Sequence, residues 1–152
     1  MMKKVHIFLF IGLIGILSSC KQDPAVIPAN LQNADLVGKW YLKSIDVQSV
    51  TGVNVPSTVS YSTGLTTDDY FEFKSTNNAA TYSSSIIGKS YQGYYSANSS
   101  VSPQKLTFKS GDFLVSFNIK TLTKDSLIIY QASSSTSDTV TTTVTNYYNY
   151  AH

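Results

Sequence analysis

The feature that most constrains the fold is an alternation of apolar and polar side chains with a period of two residues. It is clearest in the stretch 113–120, which places Phe113, Val115, Phe117 and Ile119 on one side. Successive side chains of a strand point to opposite faces, so this pattern predicts a strand with one buried face. No window beyond residue 38 keeps a 3.6-residue apolar period, which predicts little helix.

The same alternation, punctuated by turn residues, predicts seven further strands. They are residues 39–48, 69–74, 80–87, 90–97, 104–109, 125–132 and 139–150. Residues 53–65 fit either a long loop or a strand over 58–62, and residues 132–137 are predicted to be a mobile turn. Abundant Ser and Thr and the 11 Tyr suit a pleated, half-buried surface.

Short strands joined by tight turns, without helical crossovers, predict antiparallel pairing. Eight such strands form either a sandwich or a closed barrel, and a closed barrel leaves no edge exposed. We therefore predict an all-β fold, an eight-stranded antiparallel up-and-down barrel. In such a barrel the first predicted strand, 39–48, pairs with the last, 139–150.

The first nineteen residues have the order of a secretory signal peptide. Lys3 and Lys4 precede the apolar stretch 7–17, and small residues follow. That stretch is too short for a transmembrane helix, which needs about 20 residues. We predict that residues 1–19 are removed.

Residues 17–20, Leu-Ser-Ser-Cys, are similar to the lipobox of bacterial lipoproteins. The similarity implies that the thiol of Cys20 is alkylated by lipid and that cleavage frees its amine for acylation, for example with palmitate. Each buried CH₂ then contributes about 0.8 kcal/mol to anchoring. The alternative is an ordinary signal peptide followed by an unpaired cysteine.

We accordingly expect three segments in the chain. Residues 1–19 are the signal peptide, residues 20–34 are a lipidated tether, and residues 35–152 are the barrel domain. The expected location is the cell envelope, anchored at the outer membrane, because Lys21 rather than Asp follows the cysteine.

Removing residues 1–19 also balances the charge. It takes two of the 11 basic residues, all of them Lys, and leaves nine against the 9 Asp plus Glu. A neutral domain does not favour a nucleic-acid partner, which needs a basic face. With 1 Cys, the chain has no internal disulfide.

Several stretches resemble the lipocalin-like family. Residues 36–42, Leu-Val-Gly-Lys-Trp-Tyr-Leu, resemble the Gly-x-Trp opening of lipocalins, and residues 69–73 resemble the second strand of bacterial lipocalin-like lipoproteins. Residues 105–108, 113–119 and 122–129 resemble the later hairpins. The resemblance implies an eight-stranded barrel, open at one end, that holds a small apolar molecule.

The resemblance also implies a role for Trp40. In lipocalins this tryptophan packs across the closed end of the barrel, beneath an arginine from the last strands. We expect Trp40 to be a buried structural plug. Since no residue of the chain is Arg, we expect that stacking pair to be missing.

We predict a ligand site lined by aromatic residues that share the inner face of their strands. They are Phe71, Phe73, Tyr82, Tyr91, Tyr95, Phe113 and Phe117. Ordinary core packing is the alternative for each. Tyr147, Tyr148 and Tyr150 fit either a sugar-stacking patch or cross-strand pairs.

Catalysis is not expected, and neither is a metal or another cofactor. Without residues 1–19 the only histidine is His152, and lipidation consumes Cys20, which excludes Cys–His chemistry and His-rich metal sites. Asp68, Asp69 and Glu72 have the chemistry of an acid–base pair or a cation site, but charges at a strand entrance are usually solvated.

The favoured function is a monomeric, membrane-anchored lipocalin-like lipoprotein that binds a small apolar or amphipathic ligand in the barrel. The alternative is a non-enzymatic module that meets a protein or glycan partner through its surface, around a barrel filled by its own side chains. Interior volume distinguishes them, because a ligand site needs about 300 Å³ or more.

Overall fold

The computed structural model describes residues 34–152. A short 3-10 helix, Ala34–Leu36, is followed by nine strands. The strands are β1 Gly38–Thr51, β2 Ser57–Tyr61, β3 Tyr70–Phe73, β4 Ala79–Ser84, β5 Lys89–Asn98, β6 Lys105–Ser110, β7 Phe113–Leu122, β8 Ser126–Ser137 and β9 Val140–Ala151. None of the described helices is long and apolar enough to cross a membrane. The predicted signal peptide, the predicted lipidation site Cys20 and the predicted tether, apart from Ala34, lie outside the described residues.

The strands form one antiparallel sheet that closes on itself. Their order is β2-β1-β3-β4-β5-β6-β7-β8-β9, and β1 also pairs with β9. That pairing runs from Tyr41 opposite Ala151 to Thr51 opposite Thr142. The predictions of an eight-stranded antiparallel barrel and of paired first and last strands are confirmed, and β2 is an additional strand.

The barrel is closed all the way round only in its lower part, which we call the base. β1 pairs with β3 over residues 38–41 and then with β2 over residues 45–49. β7 likewise pairs with β8 only over residues 118–122. Both strands shift register near this level, at Lys43 and Lys120, and such bulges bend a strand.

Above the bulges the barrel separates into two arms, and we call this part the open end. The short arm consists of β3 to β7. The long arm consists of β2, β1, β9 and β8, and its strands extend to Thr51 and to the turn between Ser137 and Val140.

The base is filled by its own side chains. Phe71 lies at the centre, where its ring stacks on Phe73 at 4.8 Å and meets the edge of Phe108 at 5.5 Å. Both geometries are favoured for aromatic pairs. The other apolar side chains that are at most 1% exposed are Leu36, Trp40, Tyr95, Leu106, Leu127 and Ile129.

Trp40 closes the base, as predicted. It is fully buried, and its indole Nε1 donates to the carbonyl oxygen of Leu36 at 2.8 Å. No arginine is present to stack on Trp40, and the ring of His152 lies there instead, 3.9 Å from the indole. His152 Nδ1 lies 2.9 Å from the carbonyl oxygen of Lys39. A histidine therefore occupies the position that the family resemblance gives to arginine.

Two glycines permit close approaches in the base. A Cβ on Gly38, whose φ is +140°, would lie 2.7 Å from Cε1 of His152. A Cβ on Gly93 in β5 would lie 2.0 Å from the carbonyl oxygen of Lys109 in β6. Only glycine permits these contacts, with a side chain at Gly38 and with a neighbouring backbone at Gly93.

Strand β4 ends at Ser84, whereas the alternation predicted a strand through residue 87. Residues 85–88 form a turn instead. The physical reason is that the amide of Ser85 donates to the carboxylate of Asp69 at 2.7 Å rather than to a neighbouring strand. Gly88, with φ +61°, then reverses the chain.

Residues 132–137 are not a mobile turn but the upper part of β8. They pair with β9, and hydroxyls add cross-strand contacts, Ser134 to Thr143 at 2.8 Å and Thr136 to Thr141 at 2.9 Å. Apolar residues do not alternate in this part of β8. An exposed strand does not need that alternation, because it buries neither face. In the undecided stretch 53–65, Ser57–Tyr61 is a strand.

Candidate functional site

The seven predicted ligand-binding aromatics separate into two groups. Four are packed in the core of the base: Phe71, Phe73, Tyr95 and Phe117. Three are half-buried at the open end: Tyr82, Tyr91 and Phe113. The first group is held by neighbouring side chains, so only the second presents ring surface to a ligand.

The three half-buried rings form what we call the aromatic platform. Tyr91 and Phe113 stack at 4.4 Å with an interplanar angle of 9°. Tyr82 is nearly parallel to both, at 6.3 Å from Phe113 and 6.4 Å from Tyr91. β4, β5 and β7 contribute one ring each, all from inward positions of the short arm.

The long arm supplies the opposite wall. Tyr148 points inward, where its ring meets that of Phe117 at 5.6 Å. Ile45 lies opposite Tyr148 in the sheet, and side chains two residues apart share a face, so Val47 and Val144 also face inward. These side chains are half-buried. Apolar side chains of both arms thus face the interior of the open end, which we call the cleft.

A buried carboxylate lies at the junction of the base and the open end. Asp69 is 1% exposed and accepts hydrogen bonds from the amides of Thr66 at 2.8 Å and Ser85 at 2.7 Å, and from the Ser85 hydroxyl at 2.5 Å. Burial alone would raise the pKa of Asp69, but hydrogen bonds from Ser85, Thr66 and Ser84 lower it below its ordinary value. Asp69 is therefore ionised at neutral pH.

This placement corrects the expectation for the acidic cluster. Asp68 is exposed as expected, but Asp69 is buried, and Glu72 is half-buried opposite Lys39 in the neighbouring strand. Among residues 34–152 the one ion pair within 4 Å joins Lys124 and Asp125, so no cation pairs with Asp69 there. The described residues contain no group of three His, Cys, Asp or Glu suited to a metal.

The charge of this carboxylate acts on two nearby tyrosine hydroxyls, those of Tyr82 and Tyr150. Burial raises the pKa of Tyr82, Tyr148 and Tyr150, and for Tyr150 nearby Tyr82, Tyr148 and Asp69 raise the pKa further, well above its ordinary value. Ser84 hydrogen-bonds with both Asp69 and Tyr82. These tyrosine hydroxyls are therefore neutral at neutral pH, and one negative charge lies near two of them.

The C-terminal tyrosines do not form a shared patch. Tyr148 and Tyr150 point into the barrel, whereas Tyr147 lies outside, where it pairs with Tyr130 across the strands at 5.5 Å. The stacking-patch interpretation needs all three on one face. Alternation along β9 prevents that, and the cross-strand interpretation holds.

Two depressions lie elsewhere on the molecule. One of about 280 Å³ is lined by Lys74, Ala79, Ala80, Thr81, Gln92, Gly93 and Tyr94. The other, of about 460 Å³, is lined by Ser102, Pro103, Gln104, Ile119, Lys120, Leu122 and Tyr130. Both are wide open, and neither contains any of the seven predicted aromatics. We therefore favour the cleft, where aromatic faces and polar groups converge.

Comparison with known proteins agrees with this architecture. A family model described as a lipocalin-like domain matches residues 36–129. The match extends from the turn before β1 into β8, and includes Trp40, Asp69 and the aromatic platform. Among curated proteins and solved structures, none matches the chain.

Proposed function

This chain belongs to the lipocalin-like domain family, and from that premise we propose that it binds a small apolar or amphipathic molecule in the cleft at the open end. Lipocalin-like barrels are in general binding folds, typically without enzymatic activity. The observation that carries the proposal is the aromatic platform, Tyr82, Tyr91 and Phe113, whose parallel rings are half-buried at an opening of the barrel.

The ligand lies in the cleft rather than deep in the barrel. Phe71 and its neighbours fill the base, so a ligand there would have to displace core side chains. In the cleft an apolar body would cover Tyr91 and Phe113 on one side and Val47 and Tyr148 on the other. Its burial would then supply the main driving force.

Asp69 sets the preferred charge of the ligand. Its carboxylate is ionised and lies next to Tyr82 and Tyr150, without a cation to compensate it. A negative head group placed near the hydroxyls of Tyr82 and Tyr148 would be repelled. A neutral hydroxyl would accept or donate hydrogen bonds there, and a positive amine would donate them. We therefore propose a neutral or cationic amphiphile.

The test compares three amphiphiles of equal chain length, a fatty alcohol, an alkylamine and a fatty acid, by calorimetry. We expect one molecule of the alcohol or amine per protein at micromolar affinity, about −8 kcal/mol, and weaker binding of the acid. Asp69→Asn should reduce the discrimination against the acid. Tyr91→Ala should abolish binding, whereas Tyr94→Ala, an exposed tyrosine on the same strand, should not.

A protein or glycan partner that meets the outer surface is the second candidate. The packed base favours it, because that part of the barrel offers a small molecule no space. No binding of any of the three amphiphiles, with circular dichroism showing a folded domain, would favour this candidate and refute the first.

We also propose that a lipid on Cys20 holds the domain at a membrane of the cell envelope, the outer membrane being favoured. The support is residues 17–20 and the apolar stretch before them. Cys20→Ala should release the protein from membranes and change its processing. An unmodified thiol in the intact mass of the native protein would contradict the anchor without affecting the cleft.

A further inference from the structure

Five of the nine exposed aliphatic side chains among residues 34–152 lie at the tips of three hairpins, and the other four are Val37, Val59, Val101 and Leu114. Val53 and Val55, 104% and 88% exposed, lie in the loop between β1 and β2. Ile86 and Ile87, 63% and 50% exposed, lie in the turn between β4 and β5, and Val140 begins β9 at 48% exposed. Exposed apolar side chains that lie together mark an interaction site, and four of these five occur as pairs, Val53 with Val55 and Ile86 with Ile87.

All three tips are at the open end. β1, β4 and β8 run in the same direction, away from the base, and each leads into one of the tips. The β1–β2 and β8–β9 tips are in contact, because the amide of Gly52 donates to the carbonyl oxygen of Thr141 at 2.9 Å. Ser85, bonded to Asp69, fixes the third tip to the mouth of the cleft.

Charge is distributed unevenly between the two ends of the barrel. Residues 52–56 and 85–88 contain no charged side chain, and Asp138 is the one charge in the β8–β9 turn. Most lysines of residues 34–152 lie at the strand ends of the base or at the bulges above it: Lys39, Lys43, Lys74, Lys105, Lys120 and Lys124. Lys89 and Lys109 lie at the open end, where the β6–β7 turn also contains Asp112. The tips are thus apolar and nearly uncharged, which suits neither a nucleic acid nor an anionic glycan.

We propose that these tips insert into a phospholipid bilayer, with the open end of the barrel facing the membrane. The proposed occupant is the boundary between acyl chains and head groups, because a fluid apolar layer accommodates separate protruding tips on either side of a cleft. A protein partner would need a continuous, complementary patch of about 800 Å² enriched in aromatic residues and Arg. Lys89, directly after the β4–β5 tip, would extend to the head groups.

The insertion deepens the proposed function by naming the source of the ligand. A cleft that opens on the bilayer receives an amphiphile without its passage through water. The two ideas are tested separately, because amphiphile binding is measured in solution without vesicles and tip insertion is measured without added ligand.

The experiment places a dye at single positions of the full chain carrying Cys20→Ala, so that the introduced cysteine is the only thiol. Val53→Cys and Ile87→Cys place the dye on two tips, and Val101→Cys places it in the β5–β6 loop at the base. The probe is phosphatidylcholine vesicles with nitroxide-labelled acyl chains. All three variants share residues 1–19, so attachment through that segment is common to them.

We expect the vesicles to quench the dye at positions 53 and 87 about threefold or more relative to position 101. Adding Val55→Asn and Val140→Asn should return quenching at position 53 to the level at 101, whereas Thr58→Asn, on an exposed strand position, should leave it unchanged. Equal quenching at the three positions, stronger quenching at 101, or no effect of the two Asn substitutions would overturn the proposal.

Discussion

The base and the open end are built from the same strands and differ in what points inward. β1 places Trp40 and Leu42 inward in the base, but Ile45, Val47 and Ser49 above its bulge. As the inward side chains become smaller and more polar, the two arms have less apolar surface to bury against each other. Backbone pairing continues to Thr51 without that burial. Hydrogen bonding thus extends a sheet, whereas closing it into a barrel requires large apolar side chains inside.

Removing one aromatic ring from each region tests whether the base is packed more tightly than the open end. Phe71→Ala should cost about 3–5 kcal/mol of unfolding free energy, because it leaves a cavity among packed rings. Phe113→Ala, at a half-buried ring, should cost about 1 kcal/mol and mainly reduce amphiphile binding. Urea unfolding of both variants measures this, and equal costs would mean that the two regions are packed alike.

The junction between the regions depends on Asp69. Its folded-state pKa lies below the ordinary value of 3.8, so the carboxylate stabilises the fold at neutral pH. This contribution should be lost as the pH falls from 3.8 through the lower folded-state pKa. Asp69→Asn should lower the unfolding free energy by about 2 kcal/mol at pH 7, as measured by urea unfolding. It should also make the unfolding free energy depend less on pH over that acidic range. Asp68→Asn is the control, and an identical pH profile in both variants would contradict this role.

The lower closure of the base depends on the ring of His152 over Trp40. His152→Ala should cost about 1 kcal/mol and expose one face of the indole. Because Trp40 is the only tryptophan, acrylamide quenching of its fluorescence reports this directly. Quenching should increase in His152→Ala but not in Lys124→Ala, an exposed change near the same end. Unchanged quenching in His152→Ala would mean that other side chains cover Trp40.

The smallest effect is expected in the long arm. Replacing Thr136 and Thr141 together by Val removes one exposed hydroxyl contact of 2.9 Å and leaves no buried polar group unpaired. The unfolding free energy should change by less than about 0.5 kcal/mol. Amide hydrogen exchange should nevertheless be faster near Thr136 than near Leu127 in both proteins. Slower exchange near Thr136 than near Leu127 would mean that the long arm is not less stable than the base.

The sequence allowed much of the base to be predicted, because alternation is a local signal. Alternation identified the inward residues of the later strands and led to the pairing of the first and last strands. The family resemblance supplied the burial of Trp40. Alternation says which face a residue occupies but not which strand lies beside it. Alternation therefore could not predict that one edge of β1 pairs first with β3 and then, farther along, with β2.

Two residues of the site depended on distant partners. Asp69 is buried because Ser85, sixteen positions later, donates two hydrogen bonds to it. His152 covers Trp40 through a contact with Lys39, 113 positions earlier. Nothing in the local sequence of either residue distinguishes these roles from a solvated charge or an exposed terminal histidine.

The central claim, a filled base beneath a ligand-binding cleft, is tested most directly by NMR during titration with the neutral fatty alcohol. We expect chemical-shift changes at Tyr82, Tyr91, Phe113 and Tyr148, with the indole of Trp40 and the methyl groups of Leu127 unchanged. Changes centred on Trp40 and Leu127, or none at the aromatic platform, would contradict the account.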